Sequence, residues 1–415
     1  MRVLRLERSA RLMAEIARRG AADTARVEPI VRKIVNAVRT KGDRGLRSYA
    51  RSFDGLQTDA SLQVSAGEME AAWQATSDEF KGALKAAAKN IRRFCQWQMP
   101  RSWSRSAGGG IRLGQLVRPL DSVGCYVPGG RYPLPSTVLM TVIPAQVAGV
   151  PRIVVVSPKP AKETLAAAHF LGVHEMYQVG GAQAIAALAY GTETLDSVAK
   201  IVGPGNIYVT TAKKRVAFEC GIDMLAGPTE AVIVSDQGNA KYIAADLVAQ
   251  AEHDPETLVA FFTTSASLAQ SVKKEIGVQA AKNPIARQAL AKRGYIFLAR
   301  DIAQAMEAAN QLAAEHITVD EELLDSVTSA GSVFVGDYSA QSFGDYASGP
   351  NHVLPTGGVA RVRGGLSVMD YLKLITVQHV TQKGLRTLSP IAATLAKAEG
   401  LVAHANSVAI RSGNA

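Results

Sequence analysis

The residues best suited to chemistry are four of the seven histidines, His253, His316, His352 and His404, which have polar neighbours. Gln250 and His253 stand three residues apart in VAQAEHDPET, near the expected end of a helix. That spacing puts both side chains on one face, and Pro255 then turns the chain away from helix. An imidazole and an amide oxygen offered together can hold a metal; the same stretch also reads as an ordinary polar turn. Glu315-His316 leads directly into a strand-like run. An acid beside an imidazole at a strand edge suits general acid–base work, since histidine titrates near neutrality. The plainer reading is a solvated Glu beside a packed His. The stretch from Gly344 to His352 reads as a long polar loop, either functional or a simple solvated connection. With a hard oxygen from Asp345 and a nitrogen from His404, Gln250 and His253 complete a set of two nitrogens and two oxygens. Such a set suits Zn²⁺ without excluding Mn²⁺ or Co²⁺. His169, His174 and His379 lack acidic clusters and read as structural, His379 on a helix face.

The elements that must position these groups follow from the pattern of the 415 residues. The first ~95 read as helices, with Ile30, Val31, Ile34, Val35 and Val38 at helical spacing, and the Arg-rich start reads as an amphipathic surface helix. Residues 102–114, rich in Ser, Gly and Arg, read as a loop or boundary. Beyond them, short β-branched runs such as IVVVS (153–157) and TEAVIVS (229–235) alternate with helical segments. This alternation marks βα units and largely parallel sheets. The last segment, from about Leu366, reads as helical. In open α/β sheets, sites gather at the carboxyl ends of strands. Three Gly-rich turns are expected there: Pro128-Gly129-Gly130, Gly180-Gly181-Ala182-Gln183 and Gly203-Pro204-Gly205-Asn206. None is a GxGxxG fingerprint.

Composition narrows the class. Hydrophobic residues are 47% and charged residues 20%, as in an ordinary globular protein rather than a disordered or collagen-like chain. Three separated cysteines, Cys95, Cys125 and Cys220, exclude a disulfide framework and point to a reducing compartment. No apolar run approaches the ~18 residues of a membrane span, and the start lacks the apolar stretch of a secretory signal. The expectation is a cytoplasmic protein with no membrane partner. The net charge of +10 is concentrated in residues 1–47 and 92–118. These segments read as solvated basic faces; a nucleic-acid footprint, supported by Arg interleaved with Trp97 and Trp103, is the competing reading.

From about Leu113 to Arg411 the chain resembles the L-histidinol dehydrogenase family. The resemblance rests on YVPGG (126–130), VGGAQAIAALAYGTE (179–193), KIVGPGNIYVTTAKK (200–214), AGPTEAVIVSD (226–236), DLVAQAEHDPE (246–256), AEHI (314–317), GDYASGPNHVLPTGG (344–358) and AEGLVAHANSVAIR (398–411), in the family's order. The N-terminal hundred residues resemble it only loosely. The resemblance implies an α/β fold of two incomplete Rossmann-like, aldehyde-dehydrogenase-like lobes with a helical N-terminal arm and a C-terminal tail. Its division is an arm over 1–25, a main lobe with zinc and catalytic residues over 26–125 and 231–366, an NAD-contacting lobe over 126–230, and a tail over 367–415 that contributes to the partner's active site. It implies NAD-dependent oxidation of L-histidinol through L-histidinal to L-histidine, the last steps of histidine biosynthesis, by a homodimer with shared active sites and one Zn²⁺ per subunit. It carries no nucleic-acid partner.

Residue by residue, the resemblance makes Gln250, His253, Asp345 and His404 the zinc ligands, with His404 reaching the partner's site. Glu315 and His316 become the catalytic pair. Thr229, His352 and Glu399 become substrate contacts beside the ligands and His316, and Tyr126, Gln183 and Asn206 the NAD contacts. The sequence departs from the family at Ala314 (usually Pro), Ile317 (Leu), Thr229 (Ser) and Pro350 (Thr), while every ligand type is kept. The alternative is a paralogue acting on another polar alcohol, such as sulfopropanediol. Glu399 speaks for an amine-bearing substrate, because a carboxylate repels a sulfonate.

Overall fold

The computed structural model describes residues 1–18, 24–129 and 132–412. Gly130 and parts of the expected arm and tail (19–23 and 413–415) lie outside the described residues. The chain divides into two compact units, residues 1–98 with 121–371, and residues 99–120 with 372–415.

The first unit is built on two parallel sheets. In the larger, the strands run in the order Arg2–Arg5, Gly294–Leu298, Leu258–Thr263, Glu230–Val234, His316–Val319 and Ser332–Val335. In the smaller the order is Glu175–Tyr177, Arg152–Val156, Ser122–Tyr126, Lys200–Val202 and Gly221–Ile222. Numbered along the chain within each sheet, both show the 3-2-1-4-5 order of a Rossmann-type sheet that lacks its sixth strand. The larger adds Arg2–Arg5 at its edge, paired parallel with Tyr295–Leu298. The chain start is therefore a strand and not the expected helix. The open edge of a parallel sheet offers unpaired backbone groups, and four residues cover it with only a short apolar pattern. A helix, Ala10–Ala17, follows.

Each strand of the larger sheet splits its side chains by alternation. Val232, Val234, Ala260, Phe262 and Phe297 join one core with the helix Ile302–Leu312, while Ala231, Ile233, Val259, Phe261 and Ile296 join another with helices over 240–293. Burial on both faces is why these strands read as continuous apolar runs. The helices over 24–98 were grouped by sequence with the larger lobe. They pack instead on helices of the smaller one: Val31, Val35 and Val38 meet Ile185, Leu188 and Val209 in a single core.

The smaller sheet holds one fully buried ion pair. Lys213 Nζ lies 2.7 Å from Asp223 Oδ1, with side chains 3% and 0% exposed. Lys213 also donates to the Gly203 carbonyl at 2.5 Å, and Asp223 Oδ2 accepts the Gly203 N–H at 2.7 Å. The pair thus ties down the turn at Gly203, whose φ is +111° and where a Cβ would lie 2.1 Å from the Tyr126 carbonyl oxygen. Lys213→Met leaves the Asp223 charge buried without its partner. We expect it to lower unfolding stability by about 3–5 kcal/mol, measured by urea denaturation; a loss below about 1 kcal/mol would show that the pair is dispensable.

The second unit corrects two expectations. The Ser/Gly/Arg segment is a hairpin, Trp103–Gly108 with Ile111–Pro119, turning at Gly108, Gly109 and Gly110, all at positive φ. The segment after Tyr371 opens with a strand, Leu372–Val380, antiparallel to Ile111–Pro119, so His379 is a strand residue. Polar and charged residues interrupt the apolar pattern of these exposed strands irregularly, so no clean alternation marks them. Helices Gln382–Ala398 and Val402–Arg411 follow. Among the described residues, no helix is long and apolar enough to cross a membrane.

Candidate active site

The catalytic candidates stand at the amino end of a central strand of the larger sheet, as expected from a Glu-His pair that leads directly into a strand. His316 opens its strand and pairs with Ala231 and Ser332. It is 3% exposed and Glu315 is 8% exposed. The backbone of the adjacent strand orients both: His316 Nδ1 lies 3.3 Å from the Glu230 carbonyl oxygen, and the Glu230 N–H donates to Glu315 Oε2 at 3.1 Å. A neutral His316 therefore carries its proton on Nδ1 and keeps Nε2 for proton transfer. That Nε2 is buried with no hydrogen-bond partner and lies 3.5 Å from Asp345 Oδ1. Nδ1 is also 3.8 Å from Glu315 Oε2.

Gln250 and Asp345 meet, Gln250 Nε2 donating to Asp345 Oδ2 at 3.2 Å. Gln250 is 1% exposed, and its Oε1 is buried without a partner. The helix Ala240–Ala251 ends before His253, so the two side chains do not share a helical face as expected. The exposed His253 stays near through its N–H, which donates to the Gln250 carbonyl at 3.3 Å, and its charge acts on Asp345 and His352. Asp345 is not in a loop: it belongs to the short helix Gln341–Tyr346, which a run of small polar residues does not advertise. His352 Nδ1 lies 2.8 Å from the Asp345 carbonyl oxygen and its Nε2 lies 3.2 Å from Thr137 Oγ1. It thereby ties Asp345 to the helix Pro135–Ala148, which follows the Tyr126 strand. Thr229, half-buried, immediately precedes the Glu230–Val234 strand and accepts the Leu258 N–H at 3.0 Å through its carbonyl. His404 and Glu399 are exposed residues of the second unit.

Burial and charge oppose one another here. Burial lifts the Glu315 carboxyl to about 7 against the pull of His316. Burial alone would lower His316, but the charges of Glu315 and Asp345 outweigh it and raise the imidazole to about 9. Burial would likewise raise Asp345, yet its contact with His316 and the charges of His352 and His253 leave it below the usual carboxylate range. Burial lowers His352. Sequence reasoning missed Asp246, pushed to about 6 by burial, with Asp345 adding to the rise. Its place four residues before Gln250, on the same helix face, was the available signal. It also missed Thr137 and Glu230, whose contributions come through a hydroxyl and a backbone group.

The cofactor candidates cluster at carboxyl ends of the smaller sheet, as expected. Tyr126 ends the central strand, and its Oη accepts the Gly181 N–H at 3.1 Å. Gln183 lies in the first turn of the helix Gly181–Tyr190. Asn206 caps the helix Ile207–Val216, its side chain accepting the Tyr208 and Val209 N–H groups. A Cβ at Gly129 would lie 2.2 Å from the Pro158 carbonyl, and one at Gly180 2.5 Å from the Pro158 side chain. Such turns let backbone come close to a ligand, and the helix amino termini beside them favour phosphate; the residues fit a dinucleotide.

Among the described residues, no three His, Cys, Asp or Glu side chains cluster to hold a metal unaided. A cation here needs the amide oxygen of Gln250 and a donor from outside the cluster. The unpartnered Gln250 Oε1 beside the Asp345 carboxylate fits that need, since a buried acceptor without a donor is costly unless a cation meets it.

Comparison with known proteins agrees with this geometry. The sequence model of the histidinol dehydrogenase family matches residues 17–412, so the likeness reaches further into the N-terminal helices than the motifs suggested. The chain is 45% identical over 411 residues to a histidinol dehydrogenase of Methanothermobacter thermautotrophicus, covering 96% of each chain. It is also 45% identical over 405 residues to one of Aquifex aeolicus, covering 95% of each. The crystal structure of histidinol dehydrogenase from Elizabethkingia anophelis superposes with a TM-score of 0.93 at 35% identity, covering 99% of this chain and 97% of that one. With sequence matched from the first helices to the tail, the chain belongs to the histidinol dehydrogenase family.

Proposed function

We propose that this chain oxidises L-histidinol through L-histidinal to L-histidine, at a zinc site completed by the partner subunit of a homodimer. The observation that carries the reading is the buried pair of bare atoms, His316 Nε2 and Gln250 Oε1, on either side of the Asp345 carboxylate. One is an imidazole nitrogen with no hydrogen-bond partner, the other an amide acceptor without a donor.

Gln250, His253, Asp345 and the partner's His404 would hold zinc, which when bound supplies a Lewis acid able to grip the imidazole and amine of the substrate. Fixing the substrate at both groups places the reacting carbon for hydride transfer to NAD⁺, an entropic gain large enough to matter on its own. His316 Nε2 takes the alcohol proton as the hydride leaves. Its Nδ1, turned to the Glu230 carbonyl, keeps the ring from rotating between turnovers. Glu315, held by the Glu230 N–H and poised near neutrality, draws a proton from the water that hydrates the aldehyde. His316 then takes the proton of the hydrate in the second oxidation. The balance is one alcohol, one water and two NAD⁺ giving one carboxylate, two NADH and three protons. Thr229, His352 and the partner's Glu399 complete the substrate contacts, and Tyr126, Gln183 and Asn206 hold NAD⁺. The second unit exposes Leu374, Ile375, Ile391 and Leu395; apolar surface of this kind favours association with another chain.

With L-histidinol as limiting substrate, the purified protein is expected to form two NADH per molecule consumed, and chelation should abolish turnover until zinc is returned. A yield of one NADH per substrate would overturn the four-electron assignment.

A further inference from the structure

Asp54 ends the short helical turn Ala50–Asp54, ahead of Gly55 at φ +65°. It is 7% exposed, burial raises its carboxyl, and the chemistry above leaves it unused. Its Oδ2 accepts two hydrogen bonds at 3.0 Å, from the Gly180 N–H and from Gln183 Nε2, both more than a hundred residues away along the chain. We propose that Asp54 is a positioning residue that turns the Gln183 amide so that its oxygen faces the cofactor, making this turn a receiver for a hydrogen-bond donor of NAD⁺. The inference rests on the reading that Gln183 contacts NAD⁺.

The argument is one of donor and acceptor types. An ionised carboxylate only accepts, so the amide of Gln183 must present its NH₂ to Asp54. Its Oε1 is then turned away from the carboxylate and left for a ligand. The same carboxylate oxygen holds the Gly180 N–H, fixing a turn in which Gly181 adopts φ +62° and donates to Tyr126 Oη. One side chain from the N-terminal helices thereby sets the frame for two cofactor contacts. Asparagine at 54 is nearly the same shape but carries its own NH₂, so the facing amides can turn over and present the wrong end of Gln183 to the ligand.

The test uses full-length, zinc-loaded protein and titrates NAD⁺ by calorimetry in the absence of alcohol, beside steady-state kinetics. Asp54→Asn should weaken NAD⁺ binding about tenfold, the scale of one misdirected hydrogen bond, raising KM for NAD⁺ while kcat and KM for L-histidinol stay within about twofold. Asp54→Ser, which is shorter and cannot reach the amide, gives the same readout should the first variant not fold. In a Gln183→Ala background, Asp54→Asn should add less than about twofold, since there is no amide left to orient. If Gln183→Ala binds NAD⁺ like the parent, the reading of Gln183 fails. If Gln183→Ala weakens binding but Asp54→Asn does not, or if Asp54→Asn weakens it equally with and without Gln183, the positioning role is overturned.

Discussion

Replacing His316 by alanine is expected to cut turnover by about 10²–10⁴-fold, the range of a lost general base, while zinc content and NAD⁺ affinity stay at parental levels. The expectation follows from how the ring is held. Nδ1 is taken up by the Glu230 carbonyl and Nε2 is bare, and the proposed mechanism gives this side chain proton transfer and no share in the metal. In the proposed mechanism both oxidations use the same nitrogen, so the variant should be slow with L-histidinol and with L-histidinal alike. Metal analysis and NADH formation from each substrate check this. Loss of zinc together with activity would make His316 a ligand and reassign the chemistry; normal oxidation of the aldehyde with a defect in the alcohol alone would confine the base to the first step.

Removing His404 is expected to do the reverse. It is exposed on the helix Val402–Arg411, so His404→Ala costs the unit little packing and should leave its melting behaviour unchanged. Zinc affinity should fall by more than the ~10–100-fold that losing an outer-shell partner costs, and activity should return in part with excess zinc. Unchanged zinc affinity would remove His404 from the donor set.

The ease with which each part could be read from sequence follows from physics at particular residues. Val232, Ile233 and their neighbours announced a doubly buried parallel strand because nothing polar interrupts them. The histidines announced a site because imidazole is uncommon and chemically versatile. Arg2–Arg5 and Trp103–Pro119 do not stand out in the sequence because polar and charged residues break their apolar runs into pieces too short to show a strand, and Gly108–Gly110 reads as a linker although it is the hairpin turn. The amino-edge placement of Glu315 and His316 was legible because the pair runs straight into the apolar Ile317–Val319 stretch, whereas the carboxyl-end rule applies to the Gly-rich turns of the smaller sheet. Asp54 was invisible for another reason. Its partners, Gly180 and Gln183, are near only once the N-terminal helices fold onto the smaller lobe, and spacing along one chain cannot encode that.

The central claim is that each cation is held by side chains of two chains, and co-expressed variants test it most directly. His316→Ala and His404→Ala are each defective alone. In a mixed dimer, the first unit of the His404→Ala chain keeps its base and would receive an intact His404 from the His316→Ala chain. One of the two sites is then whole. Random pairing should restore about a quarter of parental activity, half the dimers carrying one good site, and the restored dimers should hold zinc at that site. Activity no greater than the sum of the two separate variants, in a preparation shown to contain mixed dimers, would contradict the shared site.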